Sequence, residues 1–211
     1  MAVRNFAKEQ LGEDRTGHGF DHIERVVNLT KKILKDETAD RLITITAAYL
    51  HDISDDKLFA DPAAQNELLN KFLADQNFSS SARTQINSII NNLSFSKTLT
   101  SNQYPLSPAG KIVQDADRLD AIGAIGITRA IYYGGSHAET IYDPQLAPRK
   151  KLTKAEYRDL TNETIINHFY EKLLNLKELL NTATAKKIAA GRQQVMLSFL
   201  AEFKAEWNAE K

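Results

Sequence analysis

Apolar residues recur at a spacing near 3.6 along almost the whole chain, as in Ile23, Val26, Val27, Ile33 and Leu34, and little interrupts them. Only nine glycines and five prolines punctuate 211 residues. A chain patterned this way has one economical solution, an all-α fold in which helices bury one stripe each. The periodicity predicts helices over about 2–11, 19–36, 39–53, 65–75, 80–93, 111–133, 153–180 and 183–208. Irregular chain is expected over 94–110, and a functional surface loop over 134–151, where Gly134, Gly135, Pro144 and Pro148 precede Arg149, Lys150 and Lys151. With no linker, repeat or low-complexity tract, 1–211 is expected to be a single domain.

Composition excludes several functions. There is no cysteine, so disulfides, thiolate zinc sites, iron–sulfur clusters and thiol nucleophiles are out, and a metal must sit on His, Asp or Glu. Twenty-seven basic and 27 acidic side chains cancel, which leaves no general basic field for a nucleic-acid backbone. The first twenty residues, with Arg4, Lys8, Glu9, Glu13, Asp14 and Arg15, contain no apolar core of a secretory signal, and the sequence has no uncharged run of about 18 apolar residues. A cytoplasmic location with no membrane partner is the expectation, and the assembly, monomer or homodimer, stays open.

Three of the five histidines, His18, His22 and His51, fall in the first quarter, with Asp52 beside the third. His22 shares a helix face with Val26, Leu29 and Ile33, and His51 follows Ala47 and Ala48, so both rings should point inward. Asp52 ends a strongly apolar helix, where an ionised carboxylate costs several kcal/mol unless something positive meets it, a cost on the order of that for unpaired buried ions. A second acidic group, Asp115, Asp117 and Asp120, lies downstream. Periodicity does not choose among them, since Asp117 aligns with Val113 and Ala121, and Asp115 with Ile112, Leu119 and Ile122. Two imidazoles and two carboxylates from three helices would give one divalent cation four protein ligands. Mixed nitrogen and oxygen donors suit Mn, Fe, Co, Ni or Zn better than Ca, and Mg also belongs among the candidates.

The strings Gly17-His18-Gly19-Phe20-Asp21-His22-Ile23-Glu24-Arg25-Val26, Leu50-His51-Asp52-Ile53 and Gln114-Asp115-Ala116-Asp117-Arg118-Leu119 resemble the H…HD…D signature of the HD-domain superfamily of metal-dependent phosphohydrolases. The likeness is to a compact bacterial branch and continues through Asn167-His168-Phe169 to Glu206-Trp207. It implies a helical fold whose metal ligands are His22, His51, Asp52 and Asp117. It also implies a small phosphate ester, a nucleotide first of all, as substrate, with pyrophosphate release from nucleoside triphosphates as one known outcome in the branch. Asp55 and Asp56 look like the acidic pair that orients or deprotonates the attacking water in alarmone-hydrolysing relatives. Arg25, Lys57, Arg118 and Lys150 are the candidates for substrate phosphates, and His18 for contact with the substrate or with a ligand rather than for ligation. The helix 80–93 offers Asn87, Asn91 and Asn92 but no histidine for a second ion, so one metal is expected. The competing reading is a non-catalytic module that binds a nucleotide or protein partner and keeps the metal as a structural clip.

Overall fold

Helix boundaries follow local chemistry in a computed structural model that describes residues 1–12, 17–55, 58–94, 105–149 and 163–211. Through Ala116 the chain forms one compact unit, and from Asp117 a second. Among the described residues there is no strand.

The first unit contains α1 (Ala2–Leu11), α2 (Phe20–Ile33), α3 (Arg41–Leu50), α4 (Pro62–Asp75), α5 (Ser80–Ile90) and the start of α6 (Pro108–Asp120). The centre is α3, against which α1, α2 and α5 pack. Its run Ile43, Thr44, Thr46, Ala47, Ala48 and Leu50 is buried almost all round, as a central helix requires. Asp40 starts it by accepting the Ile43 N–H at 2.9 Å. On the facing side α2 buries His22, Ile23, Val26, Val27, Thr30 and Ile33. Each large aliphatic side chain so buried contributes about 1.5–3 kcal/mol. Phe6 of α1 stacks on Phe72 of α4, with ring centroids 4.0 Å apart.

Two starts differ from the periodicity. α4 begins at Pro62, three residues before the expected Gln65, because Asp61 accepts the Ala63 and Ala64 N–H groups and Pro62 fills the first helical position, where its missing N–H costs nothing. Pro108 likewise opens α6 inside the stretch expected to be irregular.

The second unit holds the end of α6, then α7 (Gly123–Ser136), α8 (Ile165–Glu171), a 3-10 helix (Leu173–Leu179) and α9 (Ala183–Trp207). α9 packs along α7 and the 3-10 helix. The single helix expected over 111–133 is two. Ile122 is extended at φ −127°, ψ 165°, and Gly123 takes φ +77°, a left-handed value that strains any side chain. A Cβ at Gly123 would also come within 2.9 Å of the Arg192 Cβ. The apolar spacing runs on across this corner, so periodicity alone cannot see it.

The helix expected over 153–180 is also broken within its described part, 163–180. Thr164 is extended and caps α8 by accepting the Asn167 N–H at 3.0 Å. At the other end Asn175 donates its amide to the Tyr170 and Glu171 carbonyls, taking acceptors that a continuing helix would need, and Lys172 leaves helical geometry at φ −131°.

A buried ionic network ties this unit. The Arg149 backbone N–H and Nε donate to Glu171 at 2.9 and 2.8 Å, and the guanidinium pairs with Glu163 at 3.1 Å. His168 donates from Nδ1 to the other Glu163 oxygen at 2.6 Å. Burial pushes the His168 ring below its ordinary pKa of 6.5, only partly offset by Glu163. Burial alone would raise the Glu163 carboxyl, but His168 and Arg149 outweigh it and hold that group low. Unfolding therefore lets His168 take up a proton that the folded chain resists. Its contribution to stability is complete above pH 6.5 and is lost as the pH falls toward the folded value. In urea titrations from pH 7.5 down to 5.5 we expect the wild type to lose more stability than His168→Gln, which keeps a donor for Glu163 but cannot titrate. Equal slopes would contradict this assignment.

Candidate metal centre

The first unit brings four of the expected polar residues together. Gly19 caps α2 in an extended conformation, so His22 falls in the first turn, on the face continued by Val26, Thr30 and Ile33, and is completely buried. His51 is the residue at which α3 ends, and Asp52 opens the turn that follows, with Asp55 N–H bonded to the Asp52 carbonyl at 3.2 Å. Both lie at the negative end of the α3 dipole, which favours a cation there.

The geometry is tight. His22 Nε2 and His51 Nε2 face each other at 3.3 Å. Asp52 reaches both, with Oδ1 3.4 Å from His51 Nε2 and Oδ2 3.5 Å from His22 Nε2. His18 Nδ1 meets Oδ2 at 3.2 Å. His51 Nδ1 lies 2.9 Å from the Ala48 carbonyl, which can only accept. That bond places a hydrogen on Nδ1 and leaves Nε2, which faces His22 and Asp52, as the nitrogen available to a metal. Burial is the strongest influence on the Asp52 carboxyl and acts to raise it, but His51, His18 and His22 together hold it well below the usual carboxylate range. It is an anion facing imidazoles.

This donor set fits a divalent metal. Atoms bound to one ion at about 2.1 Å stand about 3.0 Å apart at right angles and about 3.4 Å apart at tetrahedral angles. The contacts of His22 with His51 and with Asp52 Oδ2, of His51 with Asp52 Oδ1, and of His18 with Asp52 Oδ2, at 3.2 to 3.5 Å, are of that order, with Asp52 serving its two sides through different oxygens. Two imidazole nitrogens and a carboxylate suit a transition metal or zinc rather than calcium.

The remaining expected residues fall as follows. Asp55 is half-buried beside the turn, and its carbonyl accepts the Leu58 and Phe59 N–H groups. Arg25 pairs with Asp21 one helical turn back at 2.6 Å. Arg118 is buried and donates to the Leu179 carbonyl, and Asp120 of the downstream acidic group is paired by Arg129 at 3.1 Å. Asp115 is fully buried and Asp117 half-buried, both on α6, with Asp117 the first residue of the second unit. Asp56, Lys57 and Lys150 lie outside the described residues. Sequence reasoning missed the partners of Arg149, because Glu171 is 22 positions away and no motif links them. No described helix is long and apolar enough to cross a membrane.

With this geometry in view, comparison with known proteins gives a consistent result. The HD domain model matches residues 19–122, which include His22, His51, Asp52 and Asp117. A Lactobacillus plantarum protein of known crystal structure is 48% identical, with 99% of this chain and 96% of that one covered and a TM-score of 0.89. A Bacillus thuringiensis HD-superfamily hydrolase is 36% identical over 98% of this chain and 95% of its own, with a TM-score of 0.76. Bacillus subtilis YpgQ is 32% identical over 97% of this chain and 91% of its own. Its crystal structure in complex with ADP superimposes with a TM-score of 0.76 at 28% identity, covering 98% and 97% of the two chains. The chain belongs to the HD-domain family, with the all-α fold of HD-superfamily hydrolases.

Proposed function

We propose that the protein is a divalent-metal-dependent phosphohydrolase that acts on nucleotides, releasing pyrophosphate from nucleoside triphosphates or making a related cut. The observation that carries this reading is the convergence of His22 Nε2, His51 Nε2 and the Asp52 carboxylate within 3.5 Å of one another, with the His51 Nδ1 hydrogen held by the Ala48 carbonyl. These three are assigned as ligands, and Asp117 is added as the fourth on its resemblance to the last ligand of the signature. A divalent ion held there supplies Lewis acidity toward a phosphate oxygen and toward water.

The protein's own groups do the rest. Asp55 or Asp56 is assigned to orient the attacking water and accept its proton, on their resemblance to the acidic pair that follows the HD dipeptide, a task that suits a carboxylate within hydrogen-bond reach. Arg25, Lys57, Arg118 and Lys150 are assigned to offset phosphate charge. For Arg118 this must coexist with its bond to Leu179, and for Arg25 with its pair to Asp21. Nucleotide as the substrate class is supported by the ADP bound to YpgQ. One ion per chain, drawn from Mn, Fe, Co, Ni, Zn or Mg, is the assigned cofactor, with Mn the first to try.

Product analysis on deoxynucleoside triphosphates with Mn, Co, Ni or Mg tests the reading. We expect metal-dependent turnover that a chelator stops and added Mn restores, with pyrophosphate as the product. Tripolyphosphate or orthophosphate would indicate a different cut by the same machinery. Nucleotide binding without turnover under every metal would favour the non-catalytic module instead.

A further inference from the structure

His18 stands outside the four-ligand signature, yet the backbone around it is shaped to bring it to Asp52. Gly17 takes φ +99°, a conformation in which any other residue is strained, and Gly19 is extended at ψ 173° as the cap of α2. His18 therefore does not continue α2 by one turn above His22. Its ring meets His22 edge-on, with centroids 5.7 Å apart, and its Nδ1 lies 3.2 Å from Asp52 Oδ2. The same oxygen faces His22 Nε2 at 3.5 Å, while Oδ1 faces His51 Nε2 at 3.4 Å. A carboxylate held this way at one oxygen cannot turn about its Cβ–Cγ bond without breaking a charge-assisted hydrogen bond.

We propose that His18 is a positioning residue for the metal centre: its Nδ1–H holds Asp52 Oδ2 and so fixes the angle at which the carboxylate meets the ion, without ligating the ion itself. This rests on the metal-centre reading above. Partners that orient a ligand in this way typically govern metal affinity by about 10–100-fold. Ligation by His18 is the alternative, and the two differ in what can replace the ring. An asparagine amide places an N–H donor close to where Nδ1 stands but is a poor ligand for a transition metal.

The test is calorimetric titration of the chelator-stripped full chain with manganese chloride alone, comparing wild type, His18→Ala and His18→Asn, with far-UV circular dichroism as the check on folding. We expect His18→Ala to weaken manganese binding by about 10–100-fold and His18→Asn to retain most of the affinity. Equal losses in both variants would make His18 a ligand and overturn the proposal. No loss in either would overturn it too. If the alanine chain is not helical, His18→Leu, which keeps bulk without a donor, takes its place under the same criteria. A wild type that takes up no manganese would instead bring down the metal-centre reading, and this inference with it.

Discussion

Asp52→Ala is expected to reduce metal-dependent phosphate or pyrophosphate release by on the order of 10³-fold or more, equivalent to about 4 kcal/mol in the barrier. Asp52 brings a carboxylate within 3.5 Å of both His22 Nε2 and His51 Nε2, and neither histidine can supply the negative charge it brings. Helical content should survive, because α3 is set by Ile43, Ala47, Ala48 and Leu50 and by the Asp40 cap, not by Asp52. Turnover at saturating manganese, read beside the far-UV spectrum, decides it. A helical variant that keeps a tenth of wild-type turnover would separate Asp52 from the chemistry.

The second large effect concerns stability. Arg149→Ala would leave Glu171 and Glu163, whose side chains are 1% and 4% exposed, without the guanidinium that meets both. Breaking a buried pair by removing one partner costs about 3–5 kcal/mol, because the remaining charge must be desolvated unaided. In a chain of this size that lowers the melting temperature by about 6–20 °C. Arg149→Lys should fall between, since an ammonium keeps the charge but not the fork that serves Glu171 through two donors. A melting temperature for Arg149→Ala within about 2 °C of wild type would show the network to be energetically idle.

How much of this was legible beforehand depends on how local each cause is. His22 and His51 could be placed inward from spacing alone, because Val26 and Ile33, or Ala47 and Ala48, share their faces. The all-helical class followed from the same spacing. The corner at Ile122 and Gly123 did not, since an apolar pattern that runs on across a bend is silent about a single positive φ. Nor did the break near Lys172, which depends on Asn175 turning back to capture two carbonyls. The acidic residues of α6 show a different limit. Periodicity left Asp115 and Asp117 both open, the structure buries Asp115 completely, and the ligand role of Asp117 comes from the signature it resembles. His18 was legible as a residue near the centre, but its grip on Asp52 needed the backbone conformation of Gly17.

Metal stoichiometry is the most direct measure of the central claim. The full chain, stripped with a chelator and re-equilibrated with manganese, should retain one ion per chain by elemental analysis, and His51→Ala should retain close to none while staying helical. Substoichiometric metal in the wild type, or full occupancy after His51→Ala, would contradict it.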